Sequence, residues 1–496
     1  MQNFLNKAYN QQLLKIIFPS ILGFSGGIFF GKPFSLFSFY ISFFIFIYYL
    51  IKLKNEKKSN FFQIFFFSTS FYFFSFLWLV KFLKIYGGFH IILGILTILF
   101  LSVYLSIYFY LSYLFSKLFP ENIFIYIFPI FYWVFEYFRS FVFTGFPWNP
   151  IHLPLAYLPY LIQALSVFGG FGFSAIVLFF FIGLVDQIFK KKVNFFWLVF
   201  FVIIGLFNIF WLMLKESSNK IKIGMVQVNI KEYERSVYGE DFEALKEGIK
   251  IANENIKDVD ILVFPESLFI VSYEREDFIF EDFNKLSFKF PVLFNATIDE
   301  EKKSYNSAIL SENGNIKNIY RKRHLVPFGE YIPLRNFFEK IGFKKIARSL
   351  MDFDRGKEIG IFDFKEKFGL AICYEIIFPD ILKKEIKKGA KWIAVLTNDS
   401  WYGKSLGPYQ HLSLARLKAI EFHRPIARSA LTGISALIDA NGRVISSKDL
   451  FEEGALIDDL KTSDFKTPYY YLGEYPPFTI LFFLIIFFIV KKLYNK

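Results

Sequence analysis

Cysteine occurs once in 496 residues, at Cys373. That count excludes an intrachain disulfide and argues against a cysteine-based metal site. Histidine is nearly as scarce, with His90, His152, His324, His411 and His423. The first two lie in or beside long apolar runs. His411 and His423 are twelve positions apart, outside the i, i+4 helical register, and no histidine has metal-ligand spacing with another. No metal and no cofactor is expected, and His324, His411 and His423 read as hydrogen-bonding or packing residues. Internal repeats and low-complexity tracts are also absent, apart from an excess of phenylalanine.

What the chain has is apolar surface: 54% hydrophobic residues, 22% aromatic, 73 of them Phe. This is the composition of a membrane protein. Runs long enough to span a bilayer occur at 13–31, 34–51, 61–83, 91–115, 121–141, 168–188, 195–214 and 476–490. The pattern predicts seven spans, a long gap and an eighth. The first is too long for a cleaved signal peptide and no small-residue cleavage site follows it, so it is expected to be retained. The stretch 141–167 is broken by Pro147, Pro150, Pro154 and Pro159 and reads as a loop at the membrane interface.

Lysine is distributed unevenly among the loops. Lys7 and Lys15, then Lys52, Lys54, Lys57 and Lys58, then Lys117, then Lys190, Lys191 and Lys192, then Lys491, Lys492 and Lys496 fall on alternate sides. The opposite short loops hold only Lys32, Lys81, Lys84 and Arg139. The positive-inside rule makes the lysine-rich side cytoplasmic, puts both termini there and sends the gap after the seventh span outward. The net charge of +13 is largely this topology signal. Nucleic-acid binding would need a basic patch on a soluble surface and is not expected. A transporter would place ionisable residues inside its spans. Here Glu136, Arg139, Lys81 and Asp186 are the few candidates, and most lie near span ends.

Residues 221–460 differ in composition, holding most of the acidic residues and no spanning run. Apolar strands are predicted at 221–227, 260–264, 290–294, 308–311, 369–373, 392–396 and 436–439, with helical segments at 242–256 and 411–424. Alternation of this kind argues for an α/β layered domain. The expected organisation is a membrane domain over 1–215, an outward-facing domain over 220–461, and a linker with a C-terminal span over 462–496.

Several predicted strands end in chemically capable groups. Phe264-Pro265-Glu266 closes one, Ile372-Cys373-Tyr374-Glu375 another, and Thr397-Asn398-Asp399-Ser400 a third. Cys373 sits at a strand-to-helix turn, with Pro379 in the first turn of the helix, where a helix N-terminus can stabilise a thiolate. A nucleophilic thiol needs a base and a cation for the developing oxyanion. Glu266 has the chemistry of the base. Lys322, in the run Tyr320-Arg321-Lys322-Arg323-His324, has that of the cation, and its charge would lower the thiol pKa. Taken singly, each has another reading: an inert buried cysteine, a carboxylate on a solvated rim, a surface lysine.

Taken together, these residues resemble the nitrilase superfamily, whose triad is Glu, Lys and Cys. More narrowly, the chain resembles the apolipoprotein N-acyltransferase family of integral membrane enzymes along nearly its whole length. The matching segments are Phe264-Pro265-Glu266, the run His324 to Tyr331 with Pro333, Cys373-Tyr374-Glu375, Asn398 to Gly403, Gly407-Pro408-Tyr409-Gln410-His411 and Arg424-Pro425. In the membrane half they are Glu136-Tyr137-Phe138-Arg139 and Thr144-Gly145-Phe146-Pro147-Trp148. The implied fold is an eight-span α-helical bundle plus a nitrilase-like αββα sandwich. The implied roles are Glu266 as general base, Lys322 as oxyanion-stabilising cation and Cys373 as nucleophile, with Glu330, Tyr374 and Glu375 supporting and Glu330 orienting Lys322 or Glu266. One departure stands out. The family's usual Trp after the first domain strand is missing, and Tyr233 and Tyr238 are the nearest aromatics following Val228-Asn229.

The resemblance implies a ping-pong acyl transfer in the bacterial inner membrane, with the catalytic domain on the periplasmic side. The donor would be a phospholipid, phosphatidylethanolamine above all, and the acceptor the N-terminal S-diacylglyceryl-cysteine of a lipoprotein. A membrane-anchored amidase of the same superfamily is the alternative, although one span would suffice to anchor it. Two segments suit lipid substrates: the loop 144–148, with Trp148 at interface depth, and 331–356, whose Phe337, Phe338, Phe343, Leu350, Met351 and Phe353 suggest a flap over acyl chains or ordinary core packing.

Overall fold

The computed structural model describes residues 2–55, 61–85, 89–191, 195–213, 219–230, 241–268, 281, 285–301, 303–332, 335 and 352–494. Lys57, Lys58, Lys192 and Lys496 of the charge pattern, Tyr233, Tyr238, Pro333, and Phe337, Phe338, Phe343, Leu350 and Met351 lie outside the described residues. The chain forms two compact units. One comprises Met1–Val80, Ile91–Met213 and Thr467–Lys496, the other Lys81–His90 and Leu214–Lys466.

The first unit is helical: α1 (Gln2–Gly27), α2 (Ser35–Asn55), α3 (Phe61–Ser75), α5 (Ile91–Ser116), α6 (Phe124–Arg139), α7 (Leu165–Lys190), α8 (Phe195–Leu212) and the C-terminal helix Pro476–Tyr494, with α4 (Leu79–Ile85) starting within it. Among the described residues, four stretches are long and apolar enough to cross a membrane: Ser35–Lys54, Ile91–Ser116, Leu165–Lys190 and Phe195–Leu212. The run read as one span at 61–83 is two helices, bent by 52° at a break, and counts as a fifth if taken together. Leu13–Gly27 and Pro476–Lys491 are apolar but shorter. Helix α6 has 16 residues, contains Pro129 and carries a buried Glu136–Arg139 pair.

Packing in this unit follows side-chain size. On α5 the buried face is Ser102, Ser106, Ser112 and Ser116 with Leu105, Tyr108 and Phe109, while Phe100 is 76% exposed. The hydroxyls of Ser102, Ser106 and Ser112 donate to carbonyls four residues back at 2.6–2.7 Å, so small polar groups can pack inside an apolar bundle. Gly23 and Gly27, four apart on α1, meet the backbone of α3. A Cβ at either would lie 2.3 Å and 2.6 Å from the Phe67 and Phe71 carbonyl oxygens. Arg139 ties down the loop after α6. Its Nη1 donates to the carbonyls of Phe146 (3.2 Å) and Trp148 (2.8 Å), and its Nη2 to Glu136 Oε2 (2.6 Å). Trp148 is buried beside Trp78 and Phe146, while Phe141, Phe143 and Tyr160 are exposed aromatics of this connection.

The second unit is built from two six-stranded sheets. The first contains β1 (Lys220–Gln227), β2 (Ile261–Val263), β3 (Val292–Glu300), β4 (Lys303–Glu312) and β5 (Asn315–Arg321). The second contains β6 (Ile361–Phe362), β7 (Phe368–Ile372), β8 (Trp392–Thr397), β9 (Ile426–Ala430), β10 (Ser435–Ile438) and β11 (Val444–Lys448). Strand β12 (Gly454–Lys461) returns to pair antiparallel with β1. The sheet orders are β12-β1-β2-β3-β4-β5 and β11-β10-β9-β8-β7-β6. In each, a central trio, β1-β2-β3 or β7-β8-β9, is parallel and the outer strands are antiparallel.

The period of two explains the layers. Ile221, Ile223, Met225, Ile261, Val263 and Leu293 of the first sheet pack face to face with Phe368, Leu370, Ile372, Trp392, Ala394 and Leu396 of the second. The alternate positions Val226, Leu262, Val292, Phe294 and Ala296 pack outward against Ala244, Leu245, Ile251 and Ala252 of helix α9 (Asp241–Asn255). Helices α10 (Pro379–Lys387) and α11 (Gly407–Phe422) cover the second sheet. This is an αββα sandwich. The segment Lys81–His90 belongs to the same unit, with Phe82 edge-on to Trp401 at 6.2 Å.

Strands β5, β6, β9, β11 and β12 have no counterpart in the sequence reading; β6 is only two residues long, and the others carry polar residues among their apolar ones. Strand β9 buries Arg428 and Ser429, and β12 carries Asp458 and Asp459 on a partly exposed edge. Helix α11 ends earlier than expected, because His423 adopts a left-handed conformation (φ +49°) as its C-cap.

Candidate active site

The ends of the strands bring the polar groups together. Glu266 follows β2, Lys322 follows β5, Cys373 follows β7 and Asn398 follows β8. Lys322 Nζ donates to Glu266 Oε1 at 3.2 Å and to Glu330 Oε1 at 2.7 Å. Asn306 Nδ2 bridges the same two carboxylates at 3.0 and 2.8 Å. It is itself oriented by Asn295 Nδ2, which donates to Asn306 Oδ1 at 2.6 Å. Glu266 Oε2 accepts the Asn398 backbone N–H at 3.0 Å, and Glu330 Oε2 that of Val326 at 2.8 Å.

Lys322 and Glu266 are only 1% and 4% exposed, so neither charge is solvated. Burial alone would lower the ammonium pKa. The Glu266 and Glu330 carboxylates outweigh it and hold Lys322 above its ordinary value, fully charged.

Cys373 occupies a left-handed conformation (φ +52°), which costs an L-residue roughly 1–2 kcal/mol. It opens a 3-10 turn, Cys373–Ile377, and the α-helix starts only at Pro379. The thiol therefore does not sit at an α-helix N-terminus. Burial, then the Glu266 charge, push its pKa above the ordinary value, and Lys322 opposes them without prevailing. Burial and the Glu266 charge thus work against the thiolate that the sequence argument favours, and toward a neutral thiol.

Because this is the sole cysteine, the point is directly measurable. The rate of Cys373 alkylation by iodoacetamide, read by intact mass, is expected to rise with a pH midpoint above that of the unfolded chain. Glu266→Gln should lower the midpoint by removing the charge that disfavours the thiolate, and Lys322→Met should raise it. A midpoint at or below that of the unfolded chain would contradict the assignment.

Glu375 joins the Lys322 strand to the Cys373 turn. Its Oε1 accepts the backbone N–H groups of Arg323 (2.7 Å) and His324 (3.0 Å), its Oε2 that of Ile372 (2.9 Å), and both oxygens accept from Tyr320 Oη at 2.8 and 2.9 Å. Burial raises its pKa, although these donors favour the charged form. Behind it, Arg323 Nη2 donates to the buried Glu385 Oε1 at 2.8 Å. That carboxylate lies over Gly369, where a Cβ would come within 2.6 Å of Glu385 Oε2. Tyr374 is buried, its ring 5.6 Å from His324 and 5.0 Å from Phe378.

The sequence reading singled out neither Asn306, Asn295 nor the Tyr320–Arg323–Glu385 chain. The available signal was weak: two asparagines in predominantly β-forming stretches, where a buried polar group needs a partner. No group of three or more potential metal ligands occurs among the described residues.

Residues 26–183 match the model of the apolipoprotein N-acyltransferase N-terminal domain, and residues 222–467 match that of carbon-nitrogen hydrolases. The apolipoprotein N-acyltransferase of Wigglesworthia glossinidia brevipalpis is 30% identical over 438 residues, covering 84% of this chain and 86% of that protein. That of Rickettsia bellii is 33% identical over 384 residues, 74% of this chain and 75% of its own. That of Haemophilus influenzae is 28% identical over 460 residues, 87% of each. With both halves matched in order on one chain, this protein belongs to the apolipoprotein N-acyltransferase family.

Proposed function

We propose that this protein transfers an acyl chain from a phospholipid to the N-terminal amine of a diacylglyceryl-lipoprotein, through a thioester on Cys373. The observation that carries the reading is the pairing of the family's membrane domain with a carbon-nitrogen hydrolase domain in one chain. The buried Glu266–Lys322 pair, whose charges both reach the Cys373 thiol, supports the assignment of roles.

In the first half-reaction Glu266 accepts the thiol proton as Cys373 Sγ attacks the ester carbonyl. Lys322 balances the charge on the tetrahedral oxyanion. Collapse breaks the ester C–O bond, and the proton on Glu266 passes to the departing lysophospholipid hydroxyl. In the second half-reaction the lipoprotein amine attacks the thioester, Glu266 takes its proton, and the C–S bond breaks. The released sulfur takes that proton back, leaving an amide and the starting thiol. A neutral resting thiol fits this sequence, because Glu266 is the base in both halves and the site never holds an unpaired thiolate.

Both substrates are held in the bilayer by their chains, each buried CH₂ contributing about 0.8 kcal/mol. A catalytic unit joined to a multi-span domain suits them better than it suits a soluble amide. We assign residues 1–215 and 462–496 to eight spans in the bacterial inner membrane and 220–461 to the periplasmic face, with phosphatidylethanolamine as the donor. Glu330 and Glu375 act through Lys322 and the Cys373 turn, and Tyr374 by packing beside the nucleophile.

The test is intact-mass measurement of the purified protein after incubation with phosphatidylethanolamine of defined chain length. A hydroxylamine-labile gain of one acyl group is expected, discharged by a diacylglyceryl-cysteine peptide with formation of the N-acyl peptide. Discharge by water at the same rate would favour an amidase-like hydrolase, and no adduct would overturn the reading.

A further inference from the structure

Beneath the Cys373 turn lies a buried constellation with no place in the mechanism above. His411 Nε2 lies 3.2 Å from the Cys373 carbonyl oxygen. Its Nδ1 lies 3.0 Å from Asp399 Oδ1 and 3.4 Å from Arg428 Nη2. Arg428 Nη2 also donates to Asp399 Oδ2, and Thr397 Oγ1 donates to Asp399 Oδ1 at 3.2 Å. Asp399, His411 and Arg428 are each 0% exposed. They come from three elements: the end of β8, helix α11 and the outward face of β9.

A buried ion pair of this kind yields little net stability over an apolar substitute, since both charges lose their hydration. Its value lies in geometry. We infer that His411 is a positioning residue: it holds the Cys373 carbonyl and thereby sets the Cys373–Tyr374 peptide. No peptide bond among the described residues is cis, and a trans peptide directs C=O and N–H in opposite directions. Fixing the carbonyl on the His411 side fixes the Tyr374 N–H on the other. That N–H belongs to the residue after the nucleophile, so its direction decides whether it can share the oxyanion with Lys322.

The ring's protonation follows from its neighbours. Burial, then the Arg428 charge, lower its pKa against the opposing pull of Asp399, so one ring nitrogen carries the proton near neutrality. The Cys373 carbonyl only accepts, which requires that proton on Nε2. Nδ1 then has the Arg428 donor at 3.4 Å but also Asp399 Oδ1 at 3.0 Å. The competing arrangement, a proton on Nδ1 shared with Asp399, would gain that bond and lose the one to the Cys373 carbonyl, and the labelling experiment below separates the two.

This inference rests on Cys373 being the nucleophile, which formation of the wild-type thioester tests separately. The experiment compares single-turnover thioester formation in wild type, His411→Gln and His411→Leu. Leu cannot donate and should slow acylation about 10- to 100-fold, as expected for a misplaced reacting group, with little change in the lipid concentration for half-maximal rate. Gln restores a donor and should recover most of the rate. Equal rates in all three, or a loss confined to lipid affinity, would overturn the inference. A second measurement needs neither activity nor a folded Leu variant. In histidine-¹⁵N-labelled wild-type protein, with the His411 signals identified by their loss in His411→Gln, Nε2 should be protonated and Nδ1 not. The reverse would also overturn it.

Discussion

Replacing Cys373 with alanine is expected to abolish acyl transfer, by on the order of 10⁴-fold or more, while leaving the fold nearly as stable as before. The two halves of that statement have different causes. Activity is lost because no other residue can form the thioester in a chain with a single cysteine. The fold survives because Cys373 holds its place through backbone bonds: its carbonyl faces His411, and the preceding Ile372 N–H is taken by Glu375. Alanine meets the same left-handed strain as cysteine, being an L-residue of nearly the same backbone preference. The cost is the sulfur itself, in the core between the sheets, at roughly 1 kcal/mol for a small cavity. Acylation assayed by mass alongside thermal unfolding monitored by circular dichroism checks both. Residual transfer within tenfold of wild type would remove Cys373 from the mechanism, and gross unfolding would show that the thiol is structural.

Lys322→Met is expected to remove activity and also to destabilise the catalytic unit by about 3–5 kcal/mol, because it breaks a buried ion cluster on one side only. In the parent, one ammonium at 1% exposure faces Glu266 and Glu330 at 3.2 and 2.7 Å. Methionine keeps the volume and strips the charge, so two carboxylates sharing Asn306 are left facing each other. Their mutual repulsion and burial then raise at least one carboxylate pKa above its unfolded value. A raised folded pKa means stability gained as pH falls, so the variant should recover part of its loss on acidification from neutral pH. Adding Glu330→Gln to Lys322→Met should restore stability without restoring activity, since it removes one of the two repelling charges. Denaturant unfolding of both variants at neutral and mildly acidic pH measures this. A single variant as stable as the parent, with no pH dependence, would mean that water or a rearranged side chain replaces Lys322.

The cluster also shows how far a linear reading reaches. Glu266 and Cys373 were legible because each follows an apolar strand and carries chemistry unusual for a loop start, and Lys322 because it offers a cation in the basic run between them. The resemblance then supplied their roles. The state of the thiol was misjudged. Sequence shows a lysine and a helix nearby, both of which favour thiolate, but it does not show burial or the distance to the α-helix. Here burial pushes the thiol pKa up, and the intervening 3-10 turn moves the α-helix start away from the sulfur.

Sequence alone determined the apolar runs, the position and composition of the α/β unit, and strands β1, β2, β3, β4, β7, β8 and β10. Hydrophobic periodicity and length are properties of neighbours in the chain. The tertiary structure alone decided the bend within the run 61–83, the burial of Trp148 under Arg139, and the polar strands β5, β9 and β12. It also placed Asn306 between Glu266 and Glu330, and Glu375 and the Asp399–His411–Arg428 constellation at the Cys373 turn. Several of these depend on partners far along the chain, as with Lys220 pairing Lys461, Asn398 meeting Glu266 and His411 meeting the Cys373 carbonyl. A polar residue is stable in such a place only once the fold has brought its partner within hydrogen-bonding distance.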